Sequence, residues 1–455
     1  MSGYAVTDPY TGHRHADYDQ ATDAEVDAAI AAADDAYRAW ARPAAPEDRA
    51  TTLRAVAGLL RERADQFGEI QRRETGKPTG HGAGEAHYGA GLAEYFADHA
   101  VELAADMPVD TSGDGVGFVR RTPTGALLCI VPWNAPVHLS MRFIAPNLAI
   151  GNTVIVKPDP HCPGSAEALQ RVMDDAGVPA GAVVTLRASN AQVAHAIADP
   201  RVAGVSLTGS RRAGAAVAEV AGRNLTKVAL ELGGSDPFVV LSADDLDAVV
   251  ETAFWNRMIL QGQACCSAKR FIVIDELHDA FAERLVARMA AAGVGDPEVD
   301  DVEIGSLCSV EAAERVEGQV SAAVAHGATL LTGGDRDGAL LSPGVLVDVA
   351  PGNPVYGEEI FGPVATVHRV ADEAEAIAVA NDTAYGLGAF VFTTDPAQAD
   401  RVADAIDAGM VRINRGLDLR PELPFGGVKA SGMGHAEGLR AADVFVNLKF
   451  IHADA

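Results

Sequence analysis

The stretch ALLCIVPWNAPVHLSMRFIAPNLAIGNTVIVKP, residues 126–158, contains the alternation that decides the fold. Two short apolar runs, ALLCIVP and TVIVKP, flank a segment of helical length. Runs of the same kind follow at AVVTLR (182–187), GVSLTGS (204–210) and KVALELG (227–233), each separated from the next by a helical-looking stretch. Such alternation implies parallel strands joined by crossover helices, hence an α/β fold with a Rossmann-type sheet. In sheets of this kind ligands sit at the carboxyl ends of the strands. The residues that fall there are Pro132-Trp133-Asn134, Lys157-Pro158, Thr208-Gly209-Ser210 and Glu231-Leu232-Gly233-Gly234.

Upstream, Val26, Ile30, Ala33, Tyr37 and Trp40 recur at helical spacing and predict an amphipathic helix from Ala24 to about Ala41. A second helix is expected from about Pro46, with Leu53, Val56, Leu60, Ala64, Phe67 and Ile70 inward, ending near Gly76 and Pro78. A third is expected over roughly Leu92 to Leu103, before a turn at DTSGDGVG (110–117). Downstream, KRFIVI (269–274), FAERLVARMAA (281–291), AFVFTT (389–394) and GMVRIN (409–414) mark a second α/β stretch from near residue 236 to about 425. With no fixed-period repeat and no long polar linker, the domains are expected to pack closely around a cleft.

Composition narrows the function classes. The 455 residues carry 63 acidic against 36 basic side chains, a formal charge of -27 that repels nucleic acid and anionic membranes. No apolar run reaches the roughly 18 residues of a membrane span, and the N-terminus has no signal-peptide core. Five cysteines, at 129, 162, 265, 266 and 308, are odd in number and lack metal-site spacing, so no metal is expected and a reducing, cytoplasmic setting is.

A cysteine acts as a nucleophile when it is a thiolate on an exposed, electropositive turn. GQACCSAKR (262–270) supplies a flexible glycine before Cys265, with Lys269 and Arg270 just beyond, although a cysteine in an apolar segment is ordinarily an inert core residue. Glu231 ends a buried strand before paired glycines, where desolvation raises a carboxylate toward general-base range. A structural ion pair is the alternative there. Asn134 is placed to donate to an oxyanion, and Thr208-Gly209-Ser210 to offer backbone donors to a phosphate at a helix start. A plain N-cap is the ordinary role of such a serine.

Taken together and in order, PWNAP (132–136), VIVKP (154–158), LTGS (207–210), LELGGSDPF (230–238), GQACCSAKR, EEIFGPV (358–364) and LPFGGVKASGMG (423–434) resemble the signature blocks of the NAD(P)+-dependent aldehyde dehydrogenases. The likeness spans nearly the whole chain. It implies a cofactor-binding domain (1–104 and 124–230), a catalytic domain (231–425) and β segments for oligomerisation (105–123 and 426–455), assembled as a homodimer or homotetramer. It also implies that Cys265 is the nucleophile, Cys266 a bystander, Asn134 with the Cys265 N–H the oxyanion site, and Glu231 the base that hydrolyses a thioester. For the cofactor it implies Lys157 at the adenosine ribose, Trp133, Gly209 and Ser210 near the pyrophosphate, Glu359 at the nicotinamide ribose, and Phe361 and Leu232 close by. A silent, crystallin-like protein is the non-enzyme alternative, against which the intact set of Cys265, Glu231, Asn134 and Glu359 speaks.

Two departures leave NAD+ against NADP+ open. Pro160 stands where many NAD+-preferring members carry glutamate, and RASNAQVAHA (187–196) lacks the usual glycine pair. Among substrates, the blocks resemble most the bacterial succinate-semialdehyde dehydrogenases, in which an arginine matching Arg142 meets a distal carboxylate; Arg420 is a second candidate clamp. Ile259 replaces another arginine of that group. The stretch around Arg142 is also similar to benzaldehyde-oxidising relatives, so an aromatic aldehyde is the alternative substrate.

Overall fold

The computed structural model describes residues 3–299 and 302–454. Ala126–Ile130 lies inside a six-stranded sheet, between Thr153–Lys157 and Val202–Thr208. Val183–Thr185 lies beyond the first of these and Lys227–Glu231 beyond the second, and these five strands are parallel. Their register sets Ile130 opposite Lys157 and Leu207, and Thr208 opposite Glu231, so the expected ligand-bearing residues share one carboxyl edge. Gly432–Met433 completes the sheet antiparallel to Lys227–Glu231, with Gly432 facing Glu231.

A second, seven-stranded sheet runs in the order Thr329–Thr332, Gly344–Val347, Val364–Val370, Ala268–Ile274, Asp236–Val240, Gly388–Phe392 and Met410–Ile413. Only the first of these is antiparallel to its neighbour. The third sheet is antiparallel: Met107–Val109 and Val116–Pro123 flank the DTSGDGVG turn, and Val446–Ala453 pairs along the whole second strand.

The helices differ from expectation in instructive ways. The first runs Asp23–Ala36, fixed by a capping box between Thr22 and Glu25, and then widens into a π turn over Tyr37–Ala41. The helix expected from Pro46 is two, Pro46–Glu62 and Ala64–Thr75, because Arg63 leaves helical geometry at φ -103°, ψ 16°. Gly76 ends the second at φ 72°, a left-handed stop that a side chain resists.

The third expected helix begins thirteen residues earlier than its apolar pattern suggested, spanning Thr79–Asp98, with a short turn of helix at Ala100–Ala104 after it. Its glycines lower helix propensity, which hid it. They also permit close packing: a Cβ on Gly82 would lie 3.0 Å from the Gly68 Cα, and one on Gly89 3.1 Å from Met141. Leu53, Leu60, Phe67, Phe96 and Met141 fill the space between these helices with almost no exposure. Among the described residues no helix is long and apolar enough to cross a membrane.

Candidate active site

Four residues, Leu232 to Ser235, carry the chain from Glu231 into Asp236–Val240. The carboxyl edge of the first sheet is thereby brought against the amino edge of the second, where Asp236 sits opposite Ala268. The loop bearing the paired cysteines enters the second sheet at that edge.

This loop follows the helix Leu246–Met258 and bends sharply, with Leu260 at φ 51° and Gln261 at φ 57°. Left-handed geometry at non-glycine residues costs about 1–3 kcal/mol each and persists only where the surroundings hold it. Arg257 does much of the holding. Fully buried, it donates from Nε to the Val364 carbonyl (2.9 Å), from Nη1 to Ser267 Oγ (2.6 Å) and from Nη2 to the Ile360 carbonyl (2.8 Å). The cysteine loop is thus tied to the segment that carries Glu359 and Phe361. Lys269 Nζ, also buried, donates to the carbonyls of Ala264 (2.9 Å) and Cys265 (2.8 Å).

Cys265 is half-buried and Cys266 buried. The hydrogen bond between the two thiols, with burial next, pushes Cys265 well above the usual thiol range; the same bond draws Cys266 down. Arg142 and Lys269 act the other way on Cys265, favouring its thiolate.

Asn134 precedes the helix Pro136–Ile150 and donates from Nδ2 to the carbonyl of Gln263, two residues before Cys265, at 2.9 Å. Its own carbonyl accepts from Lys77 Nζ at 2.7 Å, and Lys77 pairs with Glu85 in the interior. Glu231 is 6% exposed, its Oε2 has no partner among the described residues, and burial lifts it to about 8 against the pull of Arg142.

Arg142 is buried on the same helix, its guanidinium 4.5 Å from the Phe425 ring centre. Nη1 lies 3.9 Å from Glu437 Oε1, and Nη2 has no partner among the described residues. Glu437 is in turn held by the Tyr88 hydroxyl (3.0 Å) and by His138 Nε2 (3.0 Å). It is in left-handed geometry at φ 62°. Arg420 lies apart from this group, half exposed and paired with Asp418 at 3.0 Å. Sequence reading had passed over Tyr88, Glu437, Lys77 and Arg257. Glu437 and His138 are 299 positions apart, and no local pattern links them.

The cofactor candidates line the neighbouring face. Lys157 ends its strand buried, 5.7 Å from the Tyr4 ring centre. The Gly209 N–H donates to the Glu231 carbonyl at 3.0 Å. Ser210 caps Arg211–Asn224, its Oγ accepting from the Ala213 N–H at 3.3 Å, which leaves the first helical N–H groups facing the strand ends. Leu232 packs beneath that helix, where a Cβ on Gly214 would lie 2.7 Å from it. Glu359 Oε1 accepts from the Gly234 N–H at 3.2 Å and stands 3.4 Å from Lys269 Nζ. A Cβ on Gly233 would collide with the Glu359 carboxylate, so the glycine makes room for it. Trp133 and Phe361 meet edge to face at 5.8 Å. An open helix start, a carboxylate over a paired-glycine turn and an aromatic corner suit the diphosphate, ribose and ring of a dinucleotide. Among the described residues no cluster of three or more His, Cys, Asp or Glu is placed to hold a metal.

Residues 2–451 match the model of the aldehyde dehydrogenase family. The chain is 44% identical over 453 residues to a protein of Deinococcus radiodurans named succinate-semialdehyde dehydrogenase [NADP(+)], covering 99% of this chain and 94% of that one. Its fold matches the crystal structure of a succinic semialdehyde dehydrogenase from Streptococcus pyogenes in complex with NADP+, at TM-score 0.97 and 38% identity, over 99% of this chain and 100% of the other. It also matches aldehyde dehydrogenase 21 from Physcomitrella patens in complex with the reaction product succinate, at TM-score 0.95 and 31% identity, over 99% and 95%. Seven sequence blocks, two facing sheet edges and matches along the whole chain lead to one conclusion: the chain belongs to the aldehyde dehydrogenase family.

Proposed function

We propose that this aldehyde dehydrogenase oxidises succinic semialdehyde, or a semialdehyde of similar length, to the dicarboxylic acid. The observation that carries this reading is Arg142, a buried guanidinium with Nη2 unpartnered, whose charge reaches both Cys265 and Glu231. A buried cation with a free donor suits the carboxylate at the far end of a short substrate. The names of the relatives in Deinococcus radiodurans and Streptococcus pyogenes agree with it.

In the mechanism we infer, the Cys265 thiolate adds to the aldehyde carbon and forms a C–S bond, while the carbonyl oxygen becomes an oxyanion held by Asn134 Nδ2 and the Cys265 N–H. When bound, NAD(P)+ would supply the hydride acceptor for the hydrogen and two electrons of the carbon attached to Cys265. Lys157, the start of the helix at Ser210, and Glu359 with Trp133 and Phe361 would hold that cofactor along the face between the sheets. Glu231 then takes a proton from water, hydroxide adds to the thioester carbon, the C–S bond breaks, and the acid leaves with Cys265 restored. At about 8, Glu231 is mostly protonated at neutral pH, so hydrolysis speeds up as pH rises through that value.

The relatives' names favour NADP+ over NAD+, and Pro160 puts no carboxylate where a 2′-phosphate would be repelled. A cytoplasmic enzyme assembled as a homodimer or homotetramer fits the reading. Leu448 and Phe450, each more than half exposed on Val446–Ala453, are apolar surface available for assembly. The test is cofactor reduction with succinic semialdehyde and benzaldehyde side by side, each with NAD+ and NADP+. A higher kcat/KM for succinic semialdehyde is expected; a preference for benzaldehyde would assign the cleft to aromatic aldehydes and make Arg142 structural.

A further inference from the structure

We propose that Lys269 is the positioning residue of the oxyanion site: by drawing the carbonyls of Ala264 and Cys265 to one side, it turns the N–H groups of Cys265 and Cys266 to the other, toward the reacting carbonyl. This rests on the covalent role given to Cys265 above. In a trans peptide the C=O and the N–H that follows it point in opposite directions. The Ala264 carbonyl accepts from Lys269 Nζ at 2.9 Å and from Ser267 Oγ at 3.0 Å, and the Cys265 carbonyl accepts from Lys269 Nζ at 2.8 Å. Two successive carbonyls are therefore pinned to the lysine side. Among the described residues, neither the Cys265 nor the Cys266 N–H donates to a protein acceptor, while Ser267 N–H, one residue on, already bonds back to the Ala264 carbonyl at 3.3 Å. Successive backbone N–H groups facing one way form an anion-binding concavity.

The lysine is 3% exposed and has no hydrogen-bonded carboxylate among the described residues. Its nearest acid is Glu359 at 3.4 Å, and Asp236, buried beside it, has no side-chain hydrogen bond among the described residues. Nζ thus spends its donors on main-chain carbonyls. One cation consequently shapes the nucleophile loop and stands beside the carboxylate at the cofactor face. Its charge also favours the thiolate of Cys265.

The experiment separates oxyanion stabilisation from thiol reactivity, using wild type, Lys269→Met and Lys269→Gln. Acylation by a chromogenic phenyl ester is followed in a single turnover without cofactor: the thiolate adds to the ester carbonyl, an oxyanion forms, and the phenolate leaves as the thioester appears. Alkylation by iodoacetamide attacks the same sulfur, displaces iodide and forms no oxyanion. We expect acylation to fall about 100-fold in Lys269→Met and about 10-fold in Lys269→Gln, whose amide keeps N–H donors without the charge, in line with the loss from removing an oxyanion donor. The limiting alkylation rate at high pH should stay within about twofold of wild type, with its pH midpoint moved upward because the ammonium charge is gone. Acylation and alkylation falling together, or acylation unchanged, would overturn the proposal. Either variant alone decides it if the other does not fold. Wild-type protein that acylates with the ester but oxidises no aldehyde would instead defeat the proposed function and leave the lysine's role standing.

Discussion

The nucleophile loop and the arginine end of the cleft differ in how fully their polar groups are partnered. Around Cys265, Arg257 ties the loop to the Val364 and Ile360 carbonyls of the neighbouring segment and Lys269 donates to the loop's own Ala264 and Cys265 carbonyls, so the loop is held before any substrate arrives. Around Arg142, Nη2 has no partner among the described residues and Nη1 stands 3.9 Å from Glu437, beyond hydrogen-bond distance. Buried donors left open cost free energy unless a ligand completes them. The contrast separates a part of the site built for chemistry from a part that waits for recognition.

The largest expected effect breaks the first half of that comparison. Cys265→Ala removes the more accessible, half-buried thiol of the pair and should lower kcat by on the order of 10⁴-fold or more, with Cys266 unable to substitute. Turnover near wild type in this variant would move the nucleophile elsewhere. Next comes Glu231→Gln, which should release a burst of reduced cofactor equal to the enzyme present and then turn over about 10²- to 10³-fold more slowly, without the rise in rate through about pH 8. Stopped-flow absorbance across pH reads both features; a missing burst with slow turnover would place Glu231 before hydride transfer.

A smaller effect probes the arginine end. Tyr88→Phe takes one donor from the buried Glu437 carboxylate and should cost about 1–3 kcal/mol of stability, read as a lower denaturant midpoint with unchanged slope. Smallest is Cys266→Ala. Removing the partner thiol takes away the first cause of the raised Cys265 pKa, so the midpoint for Cys265 alkylation should fall. An upward shift would show that Cys266 helps to ionise its neighbour.

What the sequence made legible follows from how local each signal is. Ala126–Ile130, Thr153–Lys157 and Lys227–Glu231 were readable because a strand buried on both faces is apolar throughout, and Asn134, Lys157 and Glu231 follow from where such strands end. Thr79–Asp98 was cut short because glycines that serve close packing look like helix breakers. Glu437, which Arg142 faces at 3.9 Å, and its partner Tyr88 were not readable: both lie far from Arg142 in sequence and meet it only in the folded chain. The same holds for Lys269, whose place near the cysteines was visible but whose reach back to the Ala264 and Cys265 carbonyls was not.

The most direct test of the central claim, that a fixed nucleophile loop faces an arginine kept open for a carboxylate, is kcat/KM for succinic semialdehyde and for pentanal in wild type and Arg142→Ala. The account predicts a loss of about 100-fold with succinic semialdehyde and less than about threefold with pentanal, since a charge-assisted contact to a buried carboxylate is worth roughly 2–3 kcal/mol. Equal losses with both aldehydes would contradict it and make Arg142 part of the scaffold.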